Sequence, residues 1–154
     1  MNEFMKMAVK EAREGMNKNH GGPFGCVIVK KGILVARTHN RVLETNDPTA
    51  HAEILAIREA SAILKSFDLS DCEIYSTSQP CPMCYSAIHW ARIKKLYFGT
   101  TKDDVSAIGF DDSFIYDVIK GNAVVQQFDA INIDRDECQG LLNEWIEKPD
   151  KKMY

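Results

Sequence analysis

No stretch of this 154-residue chain stays apolar long enough to span a membrane, which takes a helix of about 20 residues. A membrane-spanning protein is therefore not expected. A surplus of positive charge is missing too: 19 Lys and Arg against 22 Asp and Glu leave a net charge of −3. Nucleic-acid-binding proteins usually carry a basic excess, so nucleic acid is not the expected partner. Lys94-Lys95 and the stretch from Lys148 to Lys152 are the local basic clusters, and both read as solvated surface. Cysteines number five, an odd count, and the N-terminal region lacks an apolar leader segment. A reducing, cytoplasmic setting without export is therefore expected. Repeats, low-complexity tracts and linker-like segments are lacking as well, which predicts one domain over residues 1–154, large enough to bury its own core. Gly21-Gly22-Pro23-Phe24-Gly25 lacks the Gly-Lys-Ser/Thr ending of a phosphate loop and leads into a strand rather than a helix. Turn geometry accounts for its glycines, and Phe24 is left as a candidate wall for a substrate.

Hydrophobic periodicity supplies the elements. Met5, Ala8, Val9, Ala12 and Met16 recur at helical spacing among Lys and Glu, predicting an amphipathic helix over 3–18. Strands at 24–30 and 33–39, joined at Lys31-Gly32, read as a hairpin. An apolar helix is predicted over 47–65. It is followed by a strand at 72–77, a helix at 82–91, a strand at 95–99, helical stretches near 102–108 and 112–120, a strand at 124–129 and a helix at 134–147. Strands separated by helices point to an α/β layer fold with parallel pairing after the hairpin.

The chemistry is concentrated in His51-Ala52-Glu53 and Pro80-Cys81-Pro82-Met83-Cys84. Zinc takes nitrogen and sulfur ligands in a tetrahedron, and a catalytic site leaves one corner for water. His51, Cys81 and Cys84 make three such ligands, and Glu53 adds a carboxylate free to move protons. Water on aqueous zinc has a pKa of about 9, which a protein site lowers to roughly 7. Residues two apart on a helix do not share a face, so His51 and Glu53 can converge only beyond a helix start. Asn46-Asp47-Pro48-Thr49 offers capping residues and a proline suited to a first turn. Pro82 does the same for the second motif, where amides at a helix start favour thiolate. A closed structural zinc would need a fourth ligand, for which Cys26, Cys72, Cys138 and His89 are available, though none stands at a paired spacing. Cys72 opens an apolar stretch and reads as a small buried strand residue.

The H-x-E…P-C-x-x-C pattern matches the signature of zinc deaminases. The whole chain resembles the cytidine deaminase-like superfamily, and within it the bacterial guanine deaminases. The resemblance is carried by Gly-Gly-Pro-Phe-Gly (21–25), Asn-Asp-Pro-Thr-Ala-His-Ala-Glu (46–53), Pro-Cys-Pro-Met-Cys (80–84), Ala-Arg-Ile (91–93) and Gly-Phe-Asp-Asp-Ser-Phe-Ile-Tyr (109–116). The zinc segments are shared with tRNA adenosine and cytosine deaminases, while 109–116 resembles the guanine branch. The likeness implies a three-layer α/β fold with a five-stranded mixed sheet between helices, one Zn2+ per subunit, a small purine substrate and hydrolytic deamination with Glu53 as proton shuttle. It further implies a homodimer whose C-terminal segment is domain-swapped. By the same likeness Asn40 donates to the purine, Asp112 accepts from its N–H edge, Ala52 contacts it, Phe24 and Trp90 sandwich it, and Tyr154 closes the pocket. Structural alternatives stand beside these roles: Asn40 as a turn residue, Asp112 as a helix cap, Trp90 as core, Tyr154 as a tail. Two positions depart from the family pattern. Gln79 stands where Glu is common, removing a negative charge beside the thiolates, and Cys26 stands where a smaller residue is usual. Deamination of another base or nucleoside, or a non-catalytic zinc module, are the competing functions; Glu53 argues against the module, which has no use for a proton shuttle.

Overall fold

The computed structural model describes residues 2–122 and 128–153. The chain divides into two compact units, Met1–Tyr116 and Asp117–Tyr154.

The first unit is built on a four-stranded sheet in the order β2-β1-β3-β4, with β1 at Gly25–Lys30, β2 at Ile33–His39, β3 at Cys72–Ser78 and β4 at Lys95–Thr100. β1 pairs antiparallel with both β2 and β3, and β3 pairs parallel with β4. The inner strand β1 is buried on both faces from Gly25 to Val29, so its alternation divides two cores rather than separating core from solvent. Cys26 and Ile28, with Cys72 and Ile74 of β3, pack on one side with Ala52, Ala56 and Ala60 of helix α3 (Ala52–Leu64) and Ile88 of helix α4 (Pro82–Trp90). Val27, Val29 and Tyr75 face the other side, where helix α1 (Glu3–Asn17) brings Phe4, Met5 and Ala8. Full burial of each Val or Ile side chain contributes roughly 1.5–3 kcal/mol. Asn2 caps α1, its side-chain oxygen accepting from the Phe4 and Met5 amides at 2.9 and 3.1 Å. Helices thus cover both faces of the sheet, the layering that the sequence implied. α4 forms the crossover that parallel β3 and β4 require.

Three expectations are adjusted. The helix predicted from 47 starts at Ala52 instead, after a four-residue helix α2 (Val42–Thr45). Asp47 accepts from the Thr49 amide and hydroxyl at 2.8 and 2.7 Å, and the Ala50 amide reaches the Asp47 carbonyl at 3.1 Å, so these residues close a turn before the helix rather than its first turn. Met16, assigned to the buried stripe of α1, is largely exposed, while Glu11 and Gly15 are buried. The sheet has four strands among the described residues rather than five, and residues 124–127 of the strand expected at 124–129 lie outside the described residues. β4 leads into helix α5 (Lys102–Ala107), which Thr101 and Asp104 cap reciprocally, and then into helix α6 (Ser113–Lys120). The second unit holds helix α7 (Arg135–Glu147). Among the described residues no helix is long and apolar enough to cross a membrane.

Candidate active site

Two helix starts meet on one side of the sheet. His51 is the N-cap of α3, in extended conformation at φ −71 and ψ 152, which leaves Ala52 and Glu53 as its first two helical residues. Cys81 is the N-cap of α4, Pro82 takes the first helical position, and Cys84 falls in the same turn. His51 Nδ1 lies 3.6 Å from the sulfurs of both Cys81 and Cys84, and the three ligand atoms all lie within 4.8 Å of one another. Zn–N of about 2.1 Å and Zn–S of about 2.3 Å across a tetrahedral angle place nitrogen and sulfur roughly 3.6 Å apart. The donor set and its spacing therefore fit one zinc ion. Among the described residues no further His, Cys, Asp or Glu joins the set. Cys26 and Cys72 are instead buried in the sheet core, as reduced thiols. Three protein ligands leave a tetrahedral corner open.

Electrostatics sharpen the arrangement. Cys81 is held well below the ordinary thiol range, first by the hydrogen bond from the Cys84 thiol and then by His51, against the opposing effect of burial. Cys84, the donor in that pair and itself desolvated, is pushed up. His51 is raised by its hydrogen bond to Cys81. Glu53 is 6% exposed, and burial pushes its carboxyl above the ordinary carboxylate range. The Ser76 hydroxyl donates to Glu53 Oε1 at 2.9 Å, and Cys84 Sγ lies 3.5 Å from Oε2. One carboxylate oxygen is thereby anchored to the sheet.

A cavity of about 550 Å³ opens over these groups, within the usual range for small-molecule sites. Glu53, His51 and Cys81 form its floor; Phe24, Asn40, Phe110 and Asp112 are among the residues of its walls. Asn40 is 5% exposed, and its side-chain oxygen accepts from the Val42 amide at 3.2 Å, which leaves its NH₂ as the free donor. Asp112 is pushed up by burial and by the charge of Cys81. The side chain hydrogen-bonded to the first amide of α6 is Asp111, at 2.9 Å, rather than Asp112. Ala52 is fully buried at the start of α3.

Trp90 stands elsewhere. It is the last residue of α4, nine residues and thus about 13.5 Å along the axis from Cys81, and it is 73% exposed. The aromatic beside Phe24 in the cavity is Phe110, edge-on with ring centroids 5.1 Å apart. Tyr154 lies outside the described residues. Gln79 lines the cavity, and its side-chain oxygen accepts from the Lys102 amide at 3.2 Å, so the neutral residue caps α5. Sequence reading missed Ser76 and Phe110. Ser76 had a signal: it shares a β3 face with Cys72 and Ile74, where a small polar residue interrupts an apolar row and needs a buried partner. Phe110 had none beyond its place next to Asp111-Asp112.

A metal-ready triangle, a buried carboxylate and a cavity over both define a zinc hydrolase site of the deaminase type. The chain belongs to the family of the cytidine and deoxycytidylate deaminase zinc-binding region, whose model matches residues 1–100, and so to the hydrolytic deaminases. It is 43% identical to the guanine deaminase of Bacillus subtilis over 151 residues, 98% of this chain and 97% of that protein. An X-ray structure of guanine deaminase from Bacillus subtilis superimposes with a TM-score of 0.94, covering 100% of this chain and 99% of the other. A guanine deaminase from Nitrosomonas europaea matches with a TM-score of 0.68 at 35% identity, over 71% of this chain and 63% of that one. The tRNA-specific adenosine deaminase of Aquifex aeolicus is 45% identical over 95 residues, 62% of each chain.

Proposed function

We propose that the protein converts guanine and water to xanthine and ammonia. The observation that carries this reading is the buried Glu53 carboxylate beside the His51–Cys81–Cys84 triangle, in a chain whose likeness to a guanine deaminase runs through 98% of its length. The family model ends at residue 100, whereas Phe110 and Asp112 of the cavity wall lie beyond it. The full-length likeness therefore bears on the substrate as well as the chemistry.

His51, Cys81 and Cys84 would hold a zinc ion, whose Lewis acidity would bring the pKa of water down to about 7. Glu53 does the proton work. Its Oε1 is occupied by Ser76, so Oε2 takes one proton from the attacking water and passes it to a ring nitrogen. It then takes the second from the hydroxyl now on the base and delivers it to the amine, which leaves as ammonia. A carboxyl raised by burial suits both directions of that transfer. Asn40 donates through its free NH₂ to the purine's oxygen or ring nitrogen. Asp112 accepts from the N–H edge, while Ala52, fully buried in the core and outside the cavity lining, stands behind His51 and Glu53. Phe24 and Phe110 supply flat apolar walls. Trp90, exposed at the far end of α4, takes no part in this chain's cavity.

The working assembly in this reading is a cytoplasmic homodimer with the C-terminal segment exchanged and Tyr154 closing the neighbour's pocket. Support comes from α7, which leaves Leu141, Leu142, Trp145 and Ile146 exposed, an apolar set large enough to ask for a partner surface. Five free cysteines fit a reducing compartment. The test of substrate is ammonia release by zinc-loaded protein offered guanine, guanosine, adenine, cytosine and unmodified tRNA in parallel. Release from guanine is expected; release only from another of these overturns the assignment and keeps the zinc chemistry.

A further inference from the structure

Away from the zinc, a chain of polar side chains runs beneath the Asn40 wall of the cavity. Glu11 of α1 is buried, and its Oε1 accepts from Arg37 Nε at 2.7 Å. Its Oε2 lies 3.0 Å from His39 Nδ1. His39 Nε2 lies 2.9 Å from His20 Nδ1, with the two rings stacked at 5.1 Å. His20 Nδ1 is also 3.5 Å from Glu44 Oε2, and Glu44 is paired with Arg41. A carboxylate only accepts, so His39 Nδ1 carries the proton toward Glu11. In the neutral ring Nε2 is then an acceptor, which His20 Nδ1–H satisfies. The tautomer of each ring follows from the next partner along.

The main chain of His20 adds to this. Its amide donates to Gly15 O at the end of α1, and its carbonyl accepts from the Leu43 and Glu44 amides of α2, each at 3.0 Å. His20 therefore ties α1, the end of β2 and α2 together at one point. The residues that follow the two histidines, Gly21 and Asn40, both line the cavity. Their approach is so close that a Cβ on Gly21 would lie 2.0 Å from Asn40 Oδ1. Glu11 is buried and both histidines are half-buried, with Arg37, Arg41 and Glu44 engaging them from the exposed side, so the two rings resist rotation.

We infer that His20 and His39 form a positioning pair that holds Asn40 and the Gly21–Gly22 turn in the geometry that binds the purine. The pair touches neither substrate nor zinc ligand and acts through Asn40. The inference rests on the proposed guanine reading, in which Asn40 is a substrate contact. Its mark is a loss in substrate binding with zinc untouched.

The test is a double-mutant cycle on the zinc-loaded full chain, reading kcat and KM for guanine, zinc content and thermal melting. His20→Leu is expected to raise KM about fivefold to tenfold, the worth of one net hydrogen bond, with zinc near one per chain. His20→Asn, whose amide nitrogen falls close to the place of Nδ1, is expected to restore KM to within about twofold. In an Asn40→Ala background His20→Leu is expected to add almost nothing, since a residue acting through another is not additive with it. Should His20→Leu fail to fold, His20→Gln replaces it, because its donor falls beyond the Nδ1 position. An impaired Asn40→Ala beside a harmless His20→Leu overturns the positioning role alone. Additive effects, or no rescue by Asn, overturn it too. An Asn40→Ala variant as active as the wild type overturns the Asn40 contact and the positioning role with it.

Discussion

Glu53 stands out at the residue scale because it is a carboxylate with one oxygen hydrogen-bonded into the sheet and the other facing a metal-ligating thiol. Removing its charge while keeping its shape isolates the proton-transfer role. Glu53→Gln is expected to retain the fold and about one zinc per chain while losing roughly 10²–10⁴-fold in kcat, read from metal analysis and ammonia release. Ser76→Ala takes away the anchor and leaves the buried Glu53 carboxylate one hydrogen bond short. A loss of about 1–3 kcal/mol in urea unfolding is expected, with a smaller kcat deficit than Glu53→Gln shows. Asp112→Asn keeps the volume but cannot accept at both oxygens; KM for guanine is expected to rise with zinc unchanged, and an unchanged kcat/KM would remove Asp112 from the pocket's polar edge. Of these residues, the grouping of Glu53 with His51, Cys81 and Cys84 was legible in the sequence because metal chemistry dictates residue type and spacing at short range. Ser76 was not, because its partner is 23 positions away and only β3 crossing beneath α3 makes them neighbours.

Element boundaries show where local rules suffice. The hairpin, β3, β4 and the helices at 82–90, 113–120 and 135–147 fall within a residue or two of the periodicity and capping signals. The start of α3 does not, because the side chain of Asp47 bonds the Thr49 amide and makes a turn where a helix cap was expected. That turn lets His51, rather than Pro48, open the helix. The junction of α1 with the sheet is equally demanding. A Cβ on Gly25 would lie 2.1 Å from Ala8 O and 2.7 Å from Ala12 N, both of them main-chain atoms that cannot rotate away. Gly25→Ala is thus expected to push α1 off β1 and cost at least about 1–3 kcal/mol, as overpacking does. Chemical denaturation checks it, and since the added Cβ faces α1 rather than the zinc ligands, bound metal should persist in the folded fraction.

For the whole molecule, the question is what the exposed apolar residues of the Asp117–Tyr154 unit cover. If that unit crosses to a second chain and Tyr154 shuts the neighbour's pocket, the native mass is twice 17.4 kDa. A bulky C-terminal tag is then expected to slow guanine turnover several-fold or more while an N-terminal tag does not. Light scattering and paired tag kinetics check both halves; a monomer with equal rates for the two tags removes the exchanged lid.

Sequence alone determined the reaction type and the layer architecture. Zinc coordination needs particular atoms at short separations, and alternating strands and helices bury their faces in few ways. It also determined that Glu53 could reach the metal only past the end of a helix. Tertiary structure decided everything that joins distant segments: Phe110 rather than Trp90 beside Phe24, Ser76 under Glu53, and the His20–His39 pair under Asn40. The reason is physical. Those partners are brought within hydrogen-bond or van der Waals reach only when β1, β3, α1 and α3 pack on one another, and no spacing along the chain encodes that distance.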